Sequence, residues 1–208
     1  HTDGMSVFLV DMREALGNGL TINPLDTMMN HASTELFFDD LRVPAENLIG
    51  AQGQGFRCIL DGMNAERILI GAECIGDARW FNEKAADYAT QREVFGRPIG
   101  ANQGVQFPIA RAHIQAEAAA LMVREAAQTY DAGKPAGSLA NMAKLLASEA
   151  SWLAADTCIQ TFGGYGFTTD FDVERKFRET RLYQVAPVST NLILSHVATR
   201  ELGLPRSF

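Results

Sequence analysis

Glu66 and Arg67 stand side by side in the run Met63-Asn64-Ala65-Glu66-Arg67-Ile68-Leu69-Ile70. At helical spacing the neighbours of Glu66 are Gly62, Met63, Leu69 and Ile70, with no opposite charge among them. A carboxylate so placed is either solvated at the edge of an apolar stripe or set in a dry pocket, where it would serve as a general base. Three other clusters carry potential chemistry. Arg92, in the breaker-rich stretch that runs on to Pro98 and Gly100, offers a fork of donors suited to an anion, or is simply a solvated loop arginine. Gln160-Thr161-Phe162-Gly163-Gly164-Tyr165-Gly166 lets backbone approach a ligand closely, or merely ends a helix. Ser189, Thr190 and Asn191 would either cap a helix or turn its free N–H groups toward an anion or a ring carbonyl.

Long helices must position these groups. The pattern predicts a first helix over 56–91, a second over 102–130 with Pro108 tolerated near its first turns, and a third over about 138–162 with Ser138 as its N-cap. A short helix over 173–180 and a last one over 187–202, with Pro187 at its first position, complete the set. Long helices with short connections and many alanines predict an antiparallel up-down four-helix bundle. Before Gly50 the period is that of strands: 6–10, 20–22, 34–38 and 41–43, separated by Gly, Asn, Asp and Pro. His1-Thr2-Asp3-Gly4 has turn chemistry. Four short strands cannot enclose a core, so they need partners that the chain does not visibly supply. The fold class is therefore mainly α, with a partial antiparallel β-domain at 1–50 preceding the helical bundle at 51–208.

The 208 residues carry a formal charge of −7, which argues against a nucleic-acid surface or an anionic-membrane face. No run approaches the roughly 20 apolar residues of a membrane span. Cys58, Cys74 and Cys158 are odd in number and far apart, so they read as free thiols. The four histidines show no paired ligand spacing, and no metal site is expected.

Several stretches, in order, resemble the acyl-CoA dehydrogenase family. They are Glu66-Arg67, Gln91-Arg92-Glu93-Val94-Phe95-Gly96-Arg97-Pro98-Ile99, Asn102-Gln103-Gly104-Val105-Gln106-Phe107, Gln160-Thr161-Phe162-Gly163-Gly164-Tyr165-Gly166-Phe167 and Val173-Glu174-Arg175-Lys176-Phe177-Arg178-Glu179. Within the β portion, Glu35-Leu36-Phe37-Phe38-Asp39-Asp40-Leu41-Arg42-Val43-Pro44 belongs to the same series. The resemblance implies the later strands of that family's middle β-domain followed by its C-terminal helical domain, as part of a longer dehydrogenase. It also implies FAD as cofactor, an acyl-CoA substrate, electron-transfer flavoprotein or a similar acceptor, and a homo-oligomer, dimer or tetramer. The expected location is a bacterial cytoplasm or the mitochondrial matrix.

Family members take an α proton from the thioester while the β hydrogen passes to the flavin. In many, the base is a glutamate at the start of the last helix, where this chain has Val185-Ala186-Pro187-Val188-Ser189-Thr190-Asn191 and so a proline in its place. A smaller group carries it on the first long helix, directly before an arginine, and Glu66 matches that position. Asn64, Ala65, Arg67 and Val188 match substrate contacts. Arg92, Phe95, Asn102, Gln103, Gln160, Gly163, Gly164, Ser189, Thr190 and Asn191 match FAD contacts, of which Arg92 and the Gln160 segment serve the neighbouring subunit's cofactor. Arg178 matches a structural arginine. Proline has no N–H, so Pro187 would remove one donor to the thioester carbonyl, a loss of about 3 kcal/mol. The competing expectation is a non-catalytic helical oligomerisation or binding module derived from the same fold.

Overall fold

The computed structural model describes residues 4–29 and 31–206, and the expected turn at His1-Thr2-Asp3 lies outside the described residues. By contacts the chain divides into two compact units, residues 1–63 and 64–208.

In the first unit, β1 (Val7–Phe8) pairs antiparallel with β4 (Leu48–Ile49), and β2 (Leu20–Leu25) pairs antiparallel with β3 (Ser33–Phe38) in the register Leu20↔Phe38 to Leu25↔Ser33. Residues 41–43, expected as a strand, are not one. Asp40 turns the chain at φ 48, and the Leu41 backbone packs on Gly19 so closely that a Cβ there would lie 2.7 Å from Leu41 Cα. Leu41 thus spends its backbone on a close approach rather than a ladder. A one-turn helix α1 (Met12–Ala15) is added, because Asp11 accepts from the Arg13 and Glu14 amides at 2.9 and 3.4 Å. Leu20 of β2 is buried, but Phe8, Leu36, Phe37 and Phe38 are all exposed, so the strands leave much of their apolar surface uncovered, as expected for so few.

The second unit is the bundle. Helix α2 (Gly55–Gln91) runs through the division between the units and is followed by α3 (Gln103–Asp131), α4 (Gly137–Phe162), α5 (Val173–Thr180) and α6 (Thr190–His196), which passes into a π-helical turn over Val197–Glu201. Its core is built largely from small side chains: Ala112, Ala116, Ala119 and Ala126 of α3 are buried, as are Ala140, Ala143, Ala147 and Ala154 of α4. Alanine seams let two helix axes approach toward the near end of the usual 8–10 Å range. Larger side chains close the end of the bundle near α5. Phe81 is fully buried, and Tyr88 stacks on Phe162 at 4.1 Å between ring centroids. Cys74 and Cys158 are buried and free, and burial pushes both thiols up to about 12.

Helix ends depart from expectation in three places. Ser138 is not a cap: α4 begins at Gly137, and the Ser138 hydroxyl donates to the Glu201 carboxylate. Pro187 is not a first helical residue, since α6 begins at Thr190 with Ser189 as its N-cap. Between α2 and α3 the chain forms a hairpin, β5 (Glu93–Val94) against β6 (Arg97–Pro98), turned by Phe95 at φ 57 and Gly96 at φ 77. On α5, Arg175 bonds Asp172 and Glu179 at 3.1 Å and Arg178 bonds Glu174 at 2.9 Å, so both arginines knit the helix.

Candidate functional site

Three groups of residues carry the expected chemistry. The first lies on α2. Arg67 is turned inward, with 9% of its surface exposed, and its Nη1 donates to Asn64 Oδ1 at 2.9 Å across one turn. Its Nε is buried without a partner among the described residues, and burial lowers its pKa while the adjacent Glu66 carboxylate pulls the other way. Glu66 points the opposite way and is exposed. The reason is rotational: buried Arg67 and Ile68 face the bundle, so Glu66 shares the outward side with Leu69, which is 68% exposed. Ala65 and Asn64 are half-buried between these two sides.

The second group gathers where α2 and α4 end. Arg92 follows the last residue of α2, its N–H donating to Tyr88 O and its carbonyl accepting from Ile99 N–H, both at 2.8 Å. The guanidinium makes no ion pair among the described residues and lies 6.0 Å from the centroid of the Tyr165 ring. Gly163 ends α4 at φ 57 and ψ −134, a conformation open to glycine alone. A cavity of about 470 Å³ lies between these ends, lined by Tyr88, Arg92, Phe162, Gly164 and Tyr165. Gly164 has open space where a Cβ would sit and no left-handed φ, so nothing among the described residues requires glycine there. Gln160 lies exposed one turn before. Phe95, at the tip of the hairpin, is fully exposed. Asn102 caps α3 by position but not by side chain: its Oδ1 accepts from Arg97 at 2.7 Å and its Nδ2 donates to Ile99 O at 3.0 Å. Gln103 begins α3 and is exposed.

The third group opens α6. Ser189 Oγ accepts from Leu192 N–H at 3.4 Å, and Thr190 Oγ1 donates to Gln184 O at 3.1 Å. Asn191 is exposed, and the Val188 carbonyl accepts from Lys144 Nζ at 2.9 Å.

The structure therefore joins Arg92 and Gly164 around one cavity. It keeps Glu66 away from them: the 26 residues from Glu66 to Arg92 rise about 39 Å along α2. Sequence reasoning missed Lys144, whose signal was its place among Ala140, Ala143 and Ala147 on one helix stripe. It also missed Tyr183, which donates to Glu73 Oε1 at 2.5 Å and whose hydroxyl pKa is raised by burial and by that bond. Asp77, tied to Lys176, is a further buried charge; its carboxyl is raised by burial, against the pull of the lysine.

Arg92, which joins no ion pair among the described residues, and Gly164, with open space where a Cβ would sit, flank one cavity at an end of the helical bundle. The profile of the acyl-CoA dehydrogenase C-terminal domain matches residues 53–202. The chain belongs to the acyl-CoA dehydrogenase family. It is 39% identical over 197 residues to acyl-CoA dehydrogenase FadE12 of Mycobacterium tuberculosis, covering 94% of this chain and 51% of that protein. Glutaryl-coenzyme A dehydrogenase, solved with glutaryl-CoA, superposes with a TM-score of 0.91 at 31% identity, over 99% of this chain and 52% of the other. PigA, solved with FAD and proline, superposes with a TM-score of 0.90 at 28% identity, over 98% and 53%. The chain thus spans about half the length of the curated relatives it matches. Among the described residues, no helix is long and apolar enough to cross a membrane.

Proposed function

We propose that this chain is the C-terminal half of an FAD-dependent acyl-CoA dehydrogenase, with residues 1–50 the end of its middle β-domain and 51–208 its helical domain. The observation that carries the reading is the pairing of Arg92 with Gly164 on one cavity, a cationic fork beside bare backbone, which suits the diphosphate of FAD. Phe95, Asn102, Gln103, Gln160 and Gly163 would flank that cofactor, while Ser189, Thr190 and Asn191, at the start of α6, would contact the flavin beside the substrate. PigA carries FAD on the same fold. When bound, the flavin takes up the β hydrogen as hydride. The work of this chain's residues is to bind, orient and move one proton. Glu66 removes the α proton of the thioester, while Asn64, Ala65 and Val188 hold the acyl group near it and Arg67, turned into the bundle, holds Asn64 in place. Arg67 supports that task because its bond to Asn64 fixes the turn from which Glu66 projects outward. An acyl-CoA substrate is supported by the relative solved with glutaryl-CoA.

Glu66 and Arg92 stand about 39 Å apart along α2, which suits their serving different cofactors. The resemblance implies that Arg92 serves the cofactor of a second subunit and that the working form is a homo-oligomer, dimer or tetramer. Electrons leave to electron-transfer flavoprotein or a similar acceptor, in a bacterial cytoplasm or the mitochondrial matrix. The test is the flavin absorbance of the purified full-length protein and its bleaching by acyl-CoA. Glu66→Gln is expected to keep the flavin and slow bleaching by about 10²–10⁴-fold. Bleaching at the parental rate would remove Glu66 as base. A second reading, a non-catalytic helical oligomerisation or binding module, is favoured by the exposure of Glu66 in this chain. A colourless protein that still self-associates would decide for it.

A further inference from the structure

We propose that Lys144 is a positioning residue, whose buried ammonium pins the Val188 carbonyl and so fixes the segment that leads into α6. Lys144 has no exposed surface and sits on the α4 face between buried Ala140, Ala143, Ala147 and Ser148. Its Nζ donates to Val188 O at 2.9 Å, across 44 residues of sequence. Among the described residues no carboxylate lies within ion-pair distance of it. Burying an unpaired ammonium is among the costlier things a fold can do, and a methionine would fill the same space without that cost. Burial holds the Lys144 pKa below that of an ordinary lysine, with the Cys74 thiol as the opposing influence.

The segment that receives the bond has little else to hold it. Pro187 has no N–H to give. The amides of Val185 and Ala186 both return to Leu182 O, behind the segment, and Thr190 Oγ1 returns to Gln184 O. Ahead of it, the Ser189 carbonyl and hydroxyl are taken by Ile193 and Leu192 of α6 itself. Among the described residues, the contact from Lys144 is the hydrogen bond that ties 187–189 to another long helix. The carbonyl cannot supply its own donor, and an ammonium brings three protons on a flexible stem, so it can follow the carbonyl through small adjustments. Lys144 thereby sets where Val188, Ser189, Thr190 and Asn191 stand. That they face substrate and flavin rests on the proposed function above, but the anchoring itself does not.

The experiment is Lys144→Met in the complete FAD-loaded protein, followed by amide hydrogen exchange resolved by peptide. Ile193 and Leu194, in the first bonded turn of α6, are expected to exchange about tenfold faster, while amides in the middle of α3 keep their rates. Flavin per chain is expected to fall, and KM for the acyl-CoA to rise by more than kcat drops. Parental exchange in α6, or an equal acceleration in α6 and α3, would overturn the proposal. Should Lys144→Met not fold, Lys144→Leu, which likewise removes the donor, is read by the same two comparisons. Exchange requires neither flavin nor turnover, so a protein that proves colourless fails the dehydrogenase reading and leaves this one standing or falling on its own.

Discussion

Replacing Arg92 by alanine should weaken FAD binding about 30- to 150-fold while leaving the fold nearly untouched. Within the chain the guanidinium is exposed, joins no ion pair among the described residues, and has one aromatic contact at 6.0 Å to Tyr165. Cation–π contacts at exposed sites are worth about 0.5–1 kcal/mol. For a domain of this size a loss of that order lowers Tm by about 2–4 °C. Against a diphosphate the same fork would donate two charge-assisted hydrogen bonds of about 1.5–3 kcal/mol each. Solvent screening at the cavity mouth discounts their sum to about 2–3 kcal/mol, and each 1.4 kcal/mol is about tenfold in affinity. Two assays separate the terms: titration of FAD by flavin fluorescence, and a thermal melt of the cofactor-free protein. Arg92→Lys keeps the charge but loses the fork, and should fall between parent and alanine. Unchanged FAD affinity in Arg92→Ala would refute the cofactor role. A cofactor-free melt lowered by ten degrees or more would show that the arginine belongs to the fold instead.

Two glycines two residues apart should part company. Gly164→Ala meets open space, so its cofactor-free melt should match the parent while FAD affinity drops; Gly166→Ala would bring a Cβ within 2.9 Å of the Ile159 carbonyl and should destabilise the bundle by about 1–3 kcal/mol. Equal melts for the two would contradict the open-space argument. Asn82 is 7% exposed, with neither amide atom partnered among the described residues, so Asn82→Leu should raise stability by about 1–3 kcal/mol in a denaturant titration. A lower midpoint would mean that the amide finds its partners in the assembled protein.

What the sequence made legible follows from local physics. The ends of α2 and α3 lie where breakers stop a 3.6 period, and the alanines of α3 and α4 announce a close helix seam. The β5–β6 hairpin was hidden because Phe95, not Asn or Gly, takes the first left-handed position of its turn. Residues 41–43 have strand composition, yet the glycine they lie against is 22 residues earlier, and no local pattern encodes that approach. The same limit governs the site. Periodicity identifies the neighbours of Glu66 but not which side of α2 meets the bundle, because the apolar residues surround the helix there: Ile68 goes in and Leu69 goes out. Lys144 is the sharpest case. A lysine in an alanine stripe reads as a surface residue by type and as a core residue by position, and only a carbonyl 44 residues later resolves the conflict. Where residue type and periodic position disagree, the cost of burying the charge has to be offset by a specific contact, so such disagreements mark the places where a fold is holding something in position.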